Sequence, residues 1–341
     1  MKRFFTALLS VSLALTFILS SGCSSATTLS FNNAFNGKNE PYSEYWETMT
    51  YSVSSGNYKE ITRSNSIPKD VADFSINGEL KISFRTITES DIPADVKDAT
   101  NITLSGKIYH LKSELKLNSN YTVNGKNSGE HVDEILNEVI FLTTENAFAP
   151  IFSFVKQSYS VMVAKNSAEN LTVDVETLES ECKTIYKSNS YTITKINGEK
   201  TISNTYDYDF RTLIDNTQLL FALRNLSLEK EKSTSILTVS PAYGKATPLL
   251  IKNNEESSQN VKLNINGEEI SESLSIKNLS FSVNDSKNTG TPQYVTIQKS
   301  SSEKISSKAL MLEYVHPLIC YGSFTQMGAL IYKLTSAQYS V

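Results

Sequence analysis

From Tyr42 onward the chain alternates apolar and polar side chains in runs rich in Ile, Val, Thr, Tyr and Phe, the two-residue period of half-buried strands. Leu80, Ile82 and Phe84 share one face, with Lys81, Ser83 and Arg85 on the other. Ile102, Leu104, Ile108 and Leu111 predict a further strand, kinked or bulged at Gly106. The pattern returns in Leu171, Val173 and Val175, in Val261, Leu263 and Ile265, and in Leu274, Ile276, Leu279, Phe281 and Val283. Strands that are polar on one side suit an antiparallel sheet with one wet face. The expected fold class is therefore mainly β, antiparallel, with a few short helices.

Asn-Gly recurs at Asn77-Gly78, Asn124-Gly125, Asn197-Gly198 and Asn266-Gly267, each time after Ile or Val. Both central residues of a type I′ turn need positive φ, so each pair predicts a hairpin. The second and third pairs lie 73 residues apart, and the same offset aligns residues 144–149 with 217–222. This echo suggests a duplicated unit of strand, hairpin, strand and short helix. In the later copy Asp215 is a good N-cap, Gln218 fits a reciprocal capping box, and Leu219, Leu220, Leu223 and Leu226 give the helix an apolar face. In the earlier copy Thr144 is the expected cap, with Pro150 limiting the helix to a turn. Residues 131–142 fit either period, and the echo favours a strand.

The first 23 residues follow another pattern. Lys2 and Arg3 precede an apolar run over residues 4–19, and Ser20, Ser21 and Gly22 lead into Cys23. That is the layout of a secretory signal, and it resembles a bacterial lipoprotein signal, although Ser20 stands where Leu is usual. The resemblance implies that residues 1–22 are removed and that Cys23 is diacylated, placing the protein on the outer, extracytoplasmic face of the cell membrane. Residues 23–41 read as a flexible tether, with a mean reach of roughly 20–25 Å.

Charge and composition narrow the partners. Loss of residues 1–22 leaves about 319 residues, and because Lys2 and Arg3 go with them the formal charge moves from −4 to about −6. A mildly acidic chain without a basic block is a poor match for nucleic acid or for polybasic membrane attachment. Two acyl chains on Cys23 would hold the membrane where one binds only marginally. Cys182 and Cys320 remain, either as one disulfide or as two buried thiols.

A search for chemistry finds no catalytic constellation, metal site or cofactor motif. His110, His131 and His316 have no second His or Cys at ligand spacing. Glu130, His131, Asp133 and Glu134 read as a solvated charged turn, and Glu255-Glu256 and Glu268-Glu269 as acids beside turns. Ser-x-x-Lys, as in Ser113–Lys116 and Ser301–Lys304, recurs too often in this Ser- and Lys-rich chain to carry meaning. Residues 309–321 are the most apolar stretch beyond the leader, and too short and polar to span a membrane. They predict a buried strand running into a turn.

The second half is similar to a group of uncharacterised bacterial envelope β-proteins through TYDYDFRTLIDNTQLLFALRNL (205–226), VKLNINGEEI (261–270) and GALIYKLTSA (328–337). It also resembles, more loosely, the carriers of the Lol lipoprotein pathway. The resemblance implies a half-barrel with an apolar cavity and supplies no ligand-binding residue. The expected organisation is signal peptide 1–22, tether 23–41, a β-rich half over 42–180 and another over 181–341, as two domains or one. The function these readings favour is non-catalytic binding of an apolar or amphiphilic ligand, or of an envelope component. A structural or adhesion surface is the second reading and an envelope hydrolase the third.

Overall fold

The computed structural model describes residues 45–340, except 57–71, 124, 145–146, 168–169, 209–212, 241–245, 286–287, 290–291, 301, 303, 306–309 and 319–327. Cys23, the leader and the tether, and also Cys320, therefore lie outside the described residues.

Strands dominate the described residues. In chain order they are Trp46–Gly56 (β1), Ala72–Ile87 (β2), Lys107–Val123 (β3), Lys126–Thr144 (β4), Ala147–Ser167 (β5), Asn170–Tyr186 (β6), Ser190–Asn197 (β7), Lys200–Asp207 (β8) and Leu213–Asp215 (β9). The second part adds Ser233–Val239 (β10), Ala246–Ile265 (β11), Glu268–Asp285 (β12), Asn288–Thr289 (β13), Gln293–Gln298 (β14), Met311–Leu318 (β15) and Gly328–Tyr339 (β16). Two short α-helices interrupt them, Ala94–Ala99 (α1) and Leu219–Asn225 (α2). The protein is mainly β, as the alternation predicts.

One sheet runs β8-β7-β6-β5-β4-β3-β2-β1-β16-β15-β14-β12-β11-β10-β9, so the C-terminal strand β16 inserts beside the first. Residues 180 and 181 both lie within β6, and pairing continues through them. The sheet curls on itself in the second half. Asn264 and Ile265 of β11 pair in parallel with Ser336 and Ala337 of β16, which closes β11, β12, β14, β15 and β16 into a ring at that end. The hairpin turn beside this closure is Asn266-Gly267, with φ of 51° and 92°, the left-handed values that a type I′ turn demands. Its Asn266 side chain also accepts from the Tyr339 N–H at 2.9 Å, tying turn to closure.

The curl gathers a large apolar core. Met49, Tyr51, Leu80, Ile82, Phe84, Leu111 and Phe141 bury one face of β1–β4, and α2 lies across it with Leu219, Phe221 and Leu223. On the opposite face α1 inserts Val96, with Ile92 beside it, over Ile108, Ile140 and Leu142.

Several expectations are corrected here. Asn77-Gly78 makes no hairpin, because β2 runs straight through it and Gly78 pairs with both Val53 and Leu117. A Cβ on Gly78 would sit 2.1 Å from the Lys116 carbonyl oxygen, so this glycine serves a close approach between strands. Val123 pairs with Lys126 on either side of the second Asn-Gly, of which Asn124 lies outside the described residues, and Gly198-Glu199 connects β7 to β8 with Asn197 as the last strand residue.

Where a helix is expected near 144–149, Thr144 ends β4 and Ala147–Ala149 open β5, with residues 145–146 outside the described residues, so the duplicated unit loses its helical element. Alternating Phe148 and Pro150 pair with Thr143 and Phe141 of β4, next to a bulge. Pairing with β6 begins only at Phe152, so the missing N–H of Pro150 disturbs no second ladder. Residues 131–142 are strand, within β4. Residues 101–105 are not strand; the chain bends at Gly106, φ 131°, and β3 starts at Lys107. Residues 311–318 form strand β15.

Candidate functional site

Between α2 and the curled sheet lies a cavity of about 140 Å³. Its floor is the buried face of the central strands: Met49 and Tyr51 of β1, Leu80 and Ile82 of β2, and Leu111, Ser113 and Leu115 of β3. Alternation puts these residues on one side, so the pattern that predicts the strands also builds the floor. Leu220, Phe221 and Arg224 of α2 form the roof, and Met311, Tyr314 and Tyr332 the far wall.

Short helix α2 is held over the cavity at both ends. At its entry a single 3₁₀ turn, Asn216–Gln218, is capped by Asp215, whose carboxylate accepts from the Thr217 N–H at 2.7 Å. Gln218 Oε1 accepts no reciprocal bond from the cap; the amide is turned so that its Nε2 donates to the Phe148 carbonyl of β5 at 2.9 Å. Asp215 is fully buried and also accepts from the Tyr186 hydroxyl at 2.5 Å. Burial raises its pKa above the usual carboxylate value, with hydrogen bonds from Ser153, Tyr186 and Thr217 opposing the shift. At the exit the buried Lys277 amine donates to the Leu226 carbonyl at 2.7 Å. Desolvation pushes that amine down to about 8.

The strongest polar feature is an ion pair with almost no water. Arg224 and Glu47 have side chains 2% and 1% exposed and meet through both guanidinium nitrogens, Nη2 lying 3.0 Å from Oε2. Tyr45 donates to the same carboxylate at 2.7 Å. Burial opposes the charge on Arg224, but the attraction and hydrogen bonds of Glu47 outweigh it and hold the pKa above its ordinary value. Beside the pair, Phe221 stacks on Phe84 with ring centroids 4.3 Å apart, and Phe84 stacks on Tyr109 at 4.8 Å. What remains open to a guest is an apolar space with a few neutral polar groups, among them Asn137, which donates to Ser113 at 3.1 Å.

A different concavity, of about 1000 Å³, crosses the other face of β2–β7. It is open, and charged side chains such as Glu79, Lys81, Lys116, Glu134, Lys156 and Glu181 line it. Lys116 pairs with Glu134 at 3.0 Å and Lys156 with Glu181 at 2.8 Å, so much of its charge is already matched.

The remaining sequence candidates disperse. Ser113 and Lys116 point to opposite faces of β3, one into the cavity and one into the groove. His110 is half-buried in β3, where desolvation lowers its pKa, and His316 meets Tyr314 edge-on at 5.8 Å. The charged run 130–134 is part of β4, not a turn: Asp133 is buried and accepts from Ser119 Oγ at 2.9 Å and the Ser160 N–H at 2.7 Å. Glu255 and Glu256 follow a bulge at Asn254 within β11 instead of lying beside a turn, and Glu256 bonds Lys299. Cys182 is a buried free thiol, pushed up to about 11 by burial. Among the described residues no cluster of His, Cys, Asp and Glu is suited to a metal ion.

Compared with known proteins, the chain matches no family model and no curated protein. Among solved structures it is similar to the beta-barrel-like protein of domain of unknown function DUF1849 from Brucella abortus. That similarity has 8% sequence identity and a TM-score of 0.47, and covers 87% of this chain and 98% of that chain.

Proposed function

We propose that this is a lipid-anchored extracytoplasmic binding protein that takes the apolar part of an amphiphile into the cavity beneath α2. The observation that carries the reading is the cavity itself: about 140 Å³, walled by Leu, Ile, Met and aromatic side chains. An engineered apolar cavity of about 150 Å³ stays dry and binds benzene, so a space of this size holds a compact apolar group. A longer chain fits only as far as α2 yields.

A fluorescent fatty acid, dansylated undecanoic acid, tests this directly. The protein is expected to enhance its emission saturably. Leu220→Trp, which fills the cavity from its half-buried rim, should weaken binding about tenfold, or 1.4 kcal/mol, with the fold intact by circular dichroism. The carrier reading falls if the unsubstituted protein saturably binds neither this probe nor benzene, which matches the cavity in size. The anchor is tested separately: Cys23→Ala should move the protein from membrane to soluble fraction or leave it as an unprocessed precursor. A fully cleaved Cys23→Ala protein that stayed on the membrane would show that Cys23 is not the anchor.

The second reading, a sheet surface presented to other envelope components, is favoured by the open charged groove across β2–β7. It takes precedence if neither the fatty-acid probe nor benzene binds.

A further inference from the structure

The sheet ends at β8, which bonds to β7 alone among the described residues. Seven of its eight residues are exposed, and Tyr206 is half-buried. Natural edge strands are usually blunted by charged side chains, lysine above all, by proline, by a bulge or by a covering loop, and β8 carries charge only at its two ends, Lys200 and Asp207. The β8 sequence, Lys-Thr-Ile-Ser-Asn-Thr-Tyr-Asp, has no proline, pairs with β7 without a break in register, and leaves Ile202 43% exposed. We propose that β8 is a pairing edge for a second copy of this chain, the two β8 strands running antiparallel about a two-fold axis at Asn204.

The hairpin geometry fixes which backbone groups are free. Asn197 pairs with Lys200 across a two-residue loop, the position of a hydrogen-bonded closing pair. From there alternation commits the backbone of Lys200, Ile202, Asn204 and Tyr206 to β7 and turns that of Thr201, Ser203, Thr205 and Asp207 outward. Two observations agree. The Tyr208 N–H continues the inward series to the Asn189 carbonyl at 2.9 Å. The hydroxyls of Thr192 and Thr205, and of Thr194 and Ser203, approach to 2.9 Å, as the closer side chains of non-hydrogen-bonded pairs do.

A continuous two-copy sheet requires the axis to be perpendicular to the sheet, so residues opposite each other must share a face. Outward-turned residues must also meet outward-turned residues. Centring on Asn204 satisfies both conditions and uses the strand from Thr201 to Asp207. Ile202 then lies opposite the copy's Tyr206, the apolar pair in the closer, non-hydrogen-bonded sites. Ser203 lies opposite Thr205, extending the hydroxyl ladder across the axis. Thr201 lies opposite Asp207, so no like charges face each other along the paired strands. Centring on Ser203 would instead set Glu199 against Asp207, two like charges face to face, which is unfavourable.

Disulfide trapping of the full-length protein in detergent reads the register. Non-hydrogen-bonded pairs bring Cα atoms to about 4.5 Å, within disulfide reach. Under copper-phenanthroline oxidation Asn204→Cys should give a covalent dimer well above the level of the unsubstituted chain, whereas Thr201→Cys, which faces Asp207, should not. Adding Ser203→Pro, which removes an outward N–H and leaves the β7 ladder whole, should abolish the dimer severalfold or more. Ile202→Glu should do the same without a backbone change. No dimer from Asn204→Cys, equal dimer from Thr201→Cys, or a dimer that survives both Ser203→Pro and Ile202→Glu overturns the proposal, as does a cross-link to a different protein in its place.

Discussion

Arg224→Met is expected to lower the unfolding free energy by about 3–5 kcal/mol, because it strands a carboxylate where water cannot reach it. Glu47 is 1% exposed and is already bonded to Tyr45. Methionine keeps much of the apolar volume of the arginine stem and loses only the charged head, whose central carbon lies 5.6 Å from the Phe221 ring centroid, so the loss is chiefly electrostatic. Adding Glu47→Gln should return a large part of the stability, since a neutral amide still accepts from Tyr45 and no longer needs a countercharge. The sign with pH follows. In Arg224→Met the folded-state pKa of Glu47 rises above its unfolded value, so the folded state binds the proton more tightly. Stability should then increase as pH falls toward the unfolded carboxylate value. Urea unfolding of the three proteins at neutral and mildly acidic pH measures all of this. A Glu47→Gln, Arg224→Met chain no more stable than Arg224→Met would show that the cost lies in packing instead.

This pair also marks the boundary of what sequence reveals. Alternation is local, so Leu80, Ile82 and Phe84 declare a buried face without reference to any other strand, and the first two belong to the cavity floor. Asp215 declares a cap because its bond reaches only two residues ahead. Glu47 sits between Trp46 and Thr48, with nothing local to mark it for burial. Only the insertion of β16 beside β1 and the curl of the sheet bring it to Arg224, 177 positions away.

The misread elements share that cause. Ile-Asn-Gly-Glu has one local meaning at residues 265–268, where it turns, and at 76–79, where it does not. The difference is the Lys116 carbonyl beside Gly78, a non-local neighbour. Asp133 looks solvated among charges, yet two partners, one on the preceding strand and one on the following, satisfy it in the interior. The cavity itself was legible only in part. Its floor is periodic, but its roof is one seven-residue helix whose placement depends on Gln218 reaching β5 and Lys277 reaching Leu226.

The roof supplies the most discriminating substitution, because its effects on stability and on binding should have opposite signs. Phe221 is 2% exposed and packs against Phe84, Phe141 and Phe148 with ring centroids 4.3, 5.5 and 5.7 Å away. Phe221→Ala removes those contacts and leaves a void, at an expected cost of about 3–5 kcal/mol. The same void adjoins the existing cavity and enlarges it without adding a polar group. An apolar guest therefore gains room and contact, and a ligand that binds only the folded state stabilises by RT ln(1 + [L]/Kd). Phe221→Ala should melt well below the unsubstituted protein when empty, yet show the larger rise in Tm on adding dansylated undecanoic acid. Phe221→Leu should fall between the two on both measures. If instead Phe221→Ala lost stability but left probe affinity unchanged while remaining folded, the probe would be bound elsewhere, and the open groove across β2–β7 would become the place to look.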